Sequence, residues 1–336
     1  LLVISCPCAL ALAVPAALAA AHSRLSRLGI LVCRPDALET LARIDTCVFD
    51  KTGTLSDGAW RVRDVQTFGQ VTTAEALCIA AALERGSQHP LASAFRAHDD
   101  GREATLASQQ AGFGIAARVN GRELRLGIAT FAADRADDGA LWLGDGSSAL
   151  ARFEMEETPR ADAGPALAGL RAQGLTLHLL SGDSTDAVAH CVESLHAPFA
   201  SHAARQLPQD KLARVRELQS QGHRVAMVGD GINDAPVLAG ADVSIAVAGG
   251  TALAQRSADV VLLRPDLGSI AAAIDTARRT RRIIRQNLAW AVGYNLVALP
   301  LAAAGLVVPW MAALAMVLSS LTVTLNALRL ARVTTA

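Results

Sequence analysis

From Asn287 to Leu328 the chain carries no Asp, Glu, Lys or Arg. A stretch this long without a charge is either buried in protein or dissolved in lipid. A membrane helix takes about 20 mainly apolar residues. The stretch has room for two, with Gly305-Leu306-Val307-Val308-Pro309-Trp310 as a tight hairpin between them. Residues 1–21 are a second apolar run, polar only at Ser5 and broken by Cys6-Pro7-Cys8. Arg278, Arg279, Arg281, Arg282 and Arg285 precede the tail, and Arg329 and Arg332 follow it. His22, Arg24 and Arg27 flank the first run. All these charges fall on the side of the long polar middle, which the positive-inside rule makes cytoplasmic. Buried helices of a large soluble protein are the competing reading. A signal peptide fits poorly, because no charged leader precedes residues 1–21. The chain opens inside an apolar run and reads as the C-terminal part of something longer.

With 336 residues there is room for two or three domains. Net charge is zero, so no basic field argues for a nucleic-acid partner. The six cysteines have no spacing that suggests a disulfide framework, as expected in a reducing compartment. Of 31 basic residues only Lys51 and Lys211 are lysines. An ammonium is a compact point charge and a guanidinium a broad fork. A chain so biased to arginine keeps lysine where a small cation is needed, here beside a phosphoryl group.

The polar middle alternates strand and helix from about residue 150, which predicts a parallel α/β sheet with helices on both faces. Asp50 follows the apolar run Cys47-Val48-Phe49, Ser181 follows Leu175–Leu180, and Asp230 follows Val225–Val228. In an open α/β sheet, chemistry gathers at the carboxyl ends of strands. Residues 60–149 have a different texture and read as an α+β insert. The expected division is a membrane helix at 1–21, a linker and first part of the sheet domain at 22–59, and the insert at 60–149. The second part of the sheet domain at 150–265, a connecting helix at 266–285 and two membrane helices at 286–328 complete it. Residues 23–46 are expected to be helical.

Asp50-Lys51-Thr52-Gly53-Thr54 places a carboxylate at a strand end, where it can attack a phosphorus and become an aspartyl phosphate. Such transfer depends on positioning and on neutralising spread-out negative charge. Asp230 would join Asp50 and the Thr52 carbonyl in holding Mg²⁺, a hard cation that takes oxygen ligands. Ser181, Lys211 and Asn233 would supply the remaining donors. Turn aspartates capping helices are the bland alternative for Asp50 and Asp230. An Asp at position 52 could act as general acid/base in hydrolysis. Threonine cannot, so the phosphoenzyme should persist, which suits an energy transducer better than a phosphatase of the same architecture.

These segments, with Ser181-Gly182-Asp183 and Gly229-Asp230-Gly231-Ile232-Asn233-Asp234, resemble the phosphorylation-domain motifs of P-type ATPases. His89-Pro90, together with Cys6-Pro7-Cys8, resembles the heavy-metal-transporting subclass. Ser181 stands where that family usually has threonine, and keeps the hydroxyl. The resemblance implies a HAD-like doubly wound phosphorylation domain, an α+β nucleotide-binding insert and transmembrane helices at both ends. It implies ATP and Mg²⁺ as cofactors, catalytic roles for Lys51, Gly182, Asp183 and Asp234 besides those above, and nucleotide binding by Glu84, His89, Gly112, Gly114 and Gly127. The family's Thr-Gly-Glu hydrolysis loop does not occur in this sequence, so the chain alone is expected to accept phosphate without completing turnover.

Pro7 lacks an N–H and loosens the turn around it, so Cys6 and Cys8 can aim both sulfurs at one ion. Thiolate and thioether sulfur select soft Cu(I). Met316 and Ser320 lie four apart on one helix face, and Tyr294-Asn295 fall mid-membrane, where polar groups are costly. Zinc or cadmium would favour an added carboxylate, and residues 287–328 have none. The Tyr294-Asn295 and Met316-Val317-Leu318-Ser319-Ser320 pattern also resembles the copper branch. The expectation is therefore a Cu(I) exporter, with Ag(I) or a Zn/Cd-type pump as alternatives. It would sit in the cell membrane with its large domain cytoplasmic, and receive metal from a copper chaperone.

Overall fold

The computed structural model describes residues 8–331 except 88, 111, 198, 231–234 and 248–257. The chain forms two compact units, Leu1–Leu55 with Ala161–Ala336, and Ser56–Arg160.

The first unit is built on a seven-stranded sheet in the order Ile30–Val32, Val260–Leu262, Val243–Ala246, Val225–Gly229, Thr46–Asp50, Thr176–Leu180, Ser201–Ala203. Neighbours run parallel except at the Ile30–Val32 edge. The central strands Thr46–Asp50 and Val225–Gly229 are buried along their whole length, as parallel strands covered on both faces must be. Side chains alternate between the faces. Cys47 and Phe49 join one core with Leu167, Leu170, Val188, Ile270 and Ile274. Val48 points to the other, with Val215, Leu218, Val237 and Leu238. Helices Ala163–Ala172, Thr185–Leu195 and the start of Gly268–Ala303 thus cover one face. Pro208–Ser220 and Ala235–Gly240 cover the other.

The second unit is a six-stranded antiparallel sheet, ordered Ser56–Thr67, Ala149–Pro159, Leu141–Gly144, Arg122–Gly127, Gly114–Val119, Ala104–Gln110. Helix Thr73–Glu84, capped by Thr72 accepting from the Glu75 N–H at 3.2 Å, buries Ala76, Ile79, Ala80 and Leu83 against Ile115, Ala117, Leu124 and Leu126. The insert is wider than the 60–149 expected from sequence. Ala149–Pro159 is not the first strand of the second half of the parallel sheet. It pairs antiparallel with Ser56–Thr67, from Ser56↔Pro159 to Thr67↔Ala151. The two crossing segments are one ladder, so the unit extends to Arg160.

Residues 23–46 also depart from expectation. The first helix, Cys8–Arg27, ends where Gly29 turns at φ 77°, a conformation that costs glycine little. Ile30-Leu31-Val32, apolar and β-branched at both ends, then adds an edge strand, and only Ala37–Leu41 is helical beyond it.

The expected connecting helix at 266–285 and the membrane segment after it form one uninterrupted 36-residue helix, Gly268–Ala303. It breaks before Pro309–Leu328. Of the described helices, Ala9–Arg27 and Pro309–Leu328 are long and apolar enough to cross a membrane. The second half of Gly268–Ala303 falls below that hydropathy, diluted by Gln286, Asn287, Tyr294 and Asn295. Small residues Ala9, Ala13 and Ala291 pack with Val323 where the three helices meet, the close approach that lipid-borne helices favour. Asn287 is buried there, donating to the Val323 carbonyl at 3.3 Å and accepting from Asn326 at 2.9 Å.

His178, buried on strand Thr176–Leu180, lies 2.7 Å from the Ser201 hydroxyl. Burial, then the charges of Arg214 and His223, push its pKa below the ordinary 6.5. The folded unit therefore favours neutral imidazole. Its contribution is complete above pH 6.5 and is lost as pH falls through the lowered value. Melting temperature should drop between pH 7 and pH 5 with a slope that His178→Asn makes shallower. An unchanged slope in the variant would contradict this assignment.

Candidate functional site

The strands ending at Gly229, Asp50 and Leu180 are adjacent at the centre of the seven-stranded sheet. Register pairs Val228 with Phe49, and Asp50 with Leu180. Asp230, Asp50 and Ser181 therefore leave the sheet side by side at its carboxyl edge. Two further strands separate Val225–Gly229 from the antiparallel edge, so the site sits mid-sheet with strands on both sides.

Asp50 is buried, 5% exposed, and Lys211 is equally buried. The Lys211 Nζ donates to Asp50 Oδ1 at 2.7 Å. Lys51, also buried, pairs with the Asp183 carboxylate. Both lysines of the chain are thus placed against carboxylates of this one edge. Lys211 arrives on helix Pro208–Ser220, whose first turn is fixed by Asp210 accepting from the Leu207 N–H at 3.0 Å. Ser181 is buried and its hydroxyl oxygen accepts from the Asp183 N–H at 3.1 Å. That bond leaves the Ser181 hydroxyl proton available to a ligand. Gly182 is exposed in the same turn.

After Asp50 the chain turns through Lys51–Leu55. Thr52 is extended (φ −70°, ψ 127°) and exposed, and Gly53 takes φ 68°. A Cβ on Gly53 would lie 2.7 Å from Asp230 Oδ2. Only glycine lets this turn rest against the Asp230 carboxylate. Asp230 itself is buried. The buried carboxylates of Asp50 and Asp230 offer oxygen donors at this edge. Among the described residues no three His, Cys, Asp or Glu side chains cluster as a metal cage. Magnesium fits such a site, since it uses one or two carboxylates and keeps several waters. Asn233 and Asp234 lie outside the described residues.

Sequence reasoning gives no role to Thr54, yet its fully buried hydroxyl has no hydrogen-bond partner. A buried polar atom left unpaired is costly, so this hydroxyl is a candidate donor within the Asp50–Thr54 turn. Its position inside the Asp50–Thr54 motif was the available signal.

The structure places Glu84, His89, Gly112, Gly114 and Gly127 in the Ser56–Arg160 unit. Glu84 is buried at the end of its helix, and its Oε2 has no partner. His89 is exposed, its Nδ1 accepting from the Leu91 N–H at 3.3 Å. Gly114 and Gly127 are register partners whose backbones nearly touch: a Cβ on Gly127 would lie 2.0 Å from the Phe113 carbonyl. Their glycines serve strand contact as well as any ligand. Gly112 is open on all sides.

Of the expected metal-transport residues, Cys6 lies outside the described residues and Cys8 begins the first helix. Tyr294 and Asn295 are half-buried on Gly268–Ala303, and the Tyr294 hydroxyl has no hydrogen-bond partner. Met316 and Ser320 are half-buried, one turn apart on Pro309–Leu328. Ser319 instead accepts from the Trp290 indole at 3.2 Å, tying the two helices together.

Removing one member of a buried ion pair costs about 3–5 kcal/mol, chiefly by stranding the other charge. Lys211→Met should destabilise the sheet unit by that order in urea unfolding. Asp50→Asn combined with Lys211→Met should cost clearly less than the sum of the single changes. Additive losses would show that the pair does not couple.

A family model described as haloacid dehalogenase-like hydrolase matches residues 44–242. The copper-exporting P-type ATPase of Bacillus subtilis (strain 168) is 39% identical over 99% of this chain and 44% of its own length. The probable copper-exporting P-type ATPase V of Mycobacterium tuberculosis (strain H37Rv) is 39% identical over 98% of this chain and 46% of its own. The chain therefore spans about half the length of these relatives. A crystal structure of a zinc-transporting PIB-type ATPase in the E2.Pi state superposes with a TM-score of 0.84 at 34% identity, covering 98% of this chain and 57% of that one. With a mid-sheet aspartate paired to lysine and this match over most of its sheet domain, the chain belongs to the haloacid dehalogenase-like hydrolases, on the P-type ATPase branch.

Proposed function

We propose that the protein couples ATP hydrolysis to movement of Cu(I) across a membrane, through an aspartyl phosphate on Asp50. The observation that carries this reading is the buried Asp50–Lys211 pair at the strand end, 2.7 Å long. A structural aspartate has no need of so desolvated a cation, whereas a nucleophile facing a polyanion does. An Asp50 carboxylate oxygen attacks the γ-phosphorus of ATP, the bond to the bridging oxygen breaks, and ADP leaves with that electron pair. Lys211 holds the attacking carboxylate, and the Ser181 and Thr54 hydroxyls and Asn233 donate to the phosphoryl oxygens. Asp50, Asp230 and the Thr52 carbonyl would hold Mg²⁺, which neutralises charge spread over the phosphates. Lys51 and Asp183 fix the turn on either side, and Gly182 lets a phosphoryl group approach the backbone. A catalytic role for Asp234 rests on the resemblance of the Gly229–Asp234 motif.

Nucleotide binding falls to Glu84, His89, Gly112, Gly114 and Gly127. The unpaired Glu84 Oε2 is a buried acceptor suited to an exocyclic amino group. The cargo site comprises Cys6, Cys8, Tyr294, Asn295, Met316 and Ser320. Sulfur donors without a carboxylate between residues 287 and 328 suit a soft monovalent ion. The names of the curated relatives favour the same ion, although the superposed crystal structure is of a zinc transporter. The three long helices would lie in the cell membrane with the seven-stranded sheet and the Ser56–Arg160 unit cytoplasmic, metal would be exported, and a copper chaperone would deliver it.

The test is ATPase activity of the intact protein against Cu(I), Ag(I) and Zn(II). Cu(I) and Ag(I) should stimulate turnover and Zn(II) should not. Cys6→Ser should remove the stimulation, and Asp50→Asn should reduce turnover by at least about a thousandfold, as loss of a covalent nucleophile does. Stimulation by Zn(II) alone would overturn the choice of cargo.

A further inference from the structure

A cavity of about 300 Å³ opens where the first helix, the short helix Ala37–Leu41 and the long helix Gly268–Ala303 come together. One wall is aliphatic, made by Val14, Leu18, Leu38 and Ile284. Arg281 and Arg285, one helical turn apart and so on the same face of the long helix, also line it. Neither arginine has a hydrogen bond or ion pair among the described residues. The other charges on the rim are already engaged: Glu39 binds Arg43, and Asp36 binds Arg34 at 2.7 Å. The cavity therefore combines two unspent guanidinium groups with an aliphatic lining.

Its depth in the bundle follows from contacts. Asn287, two residues beyond Arg285, reaches the Ala13 carbonyl at 3.5 Å. Toward the sheet, Leu25 and Ala277 share the main core. The two helices run antiparallel, with the cavity between the apolar three-helix contact and the sheet unit. On the membrane placement proposed above, on which this inference rests, that is the cytoplasmic headgroup level.

We propose that this cavity binds an anionic phospholipid of the cytoplasmic leaflet. Its phosphate would sit between Arg281 and Arg285, and its acyl chains would run down Val14 and Leu18. Guanidinium forks grip phosphate oxygens in pairs. The aliphatic wall gives no reason to prefer a free anion, and Val14 is 37% exposed, open to a chain. The long helix passes unbroken from Ile270 and Ile274 in the sheet core to Asn287 and Ala291 in the bundle. A lipid seated on it would bear on the element joining phosphorylation to transport.

The experiment uses the intact protein in phosphatidylcholine nanodiscs with a photoactivatable phosphatidylglycerol. Labelling should map to peptides carrying Leu18 or Ile284, with or without ATP, and equally in Asp50→Asn. Arg281→Gln with Arg285→Gln should cut it roughly thirtyfold, the order expected for two arginines near a charged lipid surface. Arg279→Gln with Arg282→Gln removes the same formal charge from outside the cavity and should cut it clearly less, since Arg279 is already paired with Asp275. Excess glycerol phosphate should not compete. Equal losses in both double variants, competition by glycerol phosphate, or crosslinks showing another protein segment in the cavity would each overturn the proposal. Failure of the membrane placement would look different: alkaline carbonate would extract the protein and no peptide would be labelled.

Discussion

A carboxylate and an ammonium, both withdrawn from water and 2.7 Å apart, sit where the central strand ends. Desolvating two charges is expensive, and their attraction alone often fails to offset it against an apolar replacement. Such a pair persists when it is used. The rest of the first unit serves its position. Buried strands on both sides hold Asp50, and a helix anchored by Val215 and Leu218 delivers Lys211. The turn after Asp50 can fold back on Asp230 only because position 53 lacks a side chain. Stability of the sheet and chemistry at its edge are one arrangement.

Much of this was legible in the sequence because the signals were redundant. Continuous apolar runs before Asp50, Ser181 and Asp230 set three buried strands, and their adjacency follows from how parallel sheets wind. The scarcity of lysine picked out Lys51 and Lys211, and each meets a carboxylate at this edge. What periodicity could not reveal was partnership. Leu150–Phe153 has the apolar texture of a core strand in either sheet. Its ladders with Ser56–Thr67 and Leu141–Gly144 assign it to the insert. Ile30–Val32 is too short for a period, and three residues joining a sheet edge are a tertiary choice. The Thr54 hydroxyl and Glu84 Oε2 show themselves as unpaired groups only once burial is known.

The long helix Gly268–Ala303 changes the mechanical picture that composition suggested. A connecting helix followed by a separate membrane helix would allow a hinge. Here one helix begins in the sheet core and continues into the three-helix bundle, where Asn287 fixes it to the neighbouring helix. Its polar Asn287, Tyr294 and Asn295 lower its hydropathy. Asn287 is satisfied within the bundle by the Val323 carbonyl and Asn326. The helix therefore joins the core that holds Phe49 to the bundle that holds Ala291 through packed side chains.

The central claim is that Asp50 takes the phosphoryl group. Incubating the intact protein with γ-labelled ATP, quenching in acid and mapping the labelled peptide tests it directly. The account predicts an acid-stable, hydroxylamine-sensitive mark on the peptide containing Asp50, absent in Asp50→Asn and weakened in Lys211→Met. Label on another residue, or turnover with no covalent mark in the wild-type protein, would contradict it.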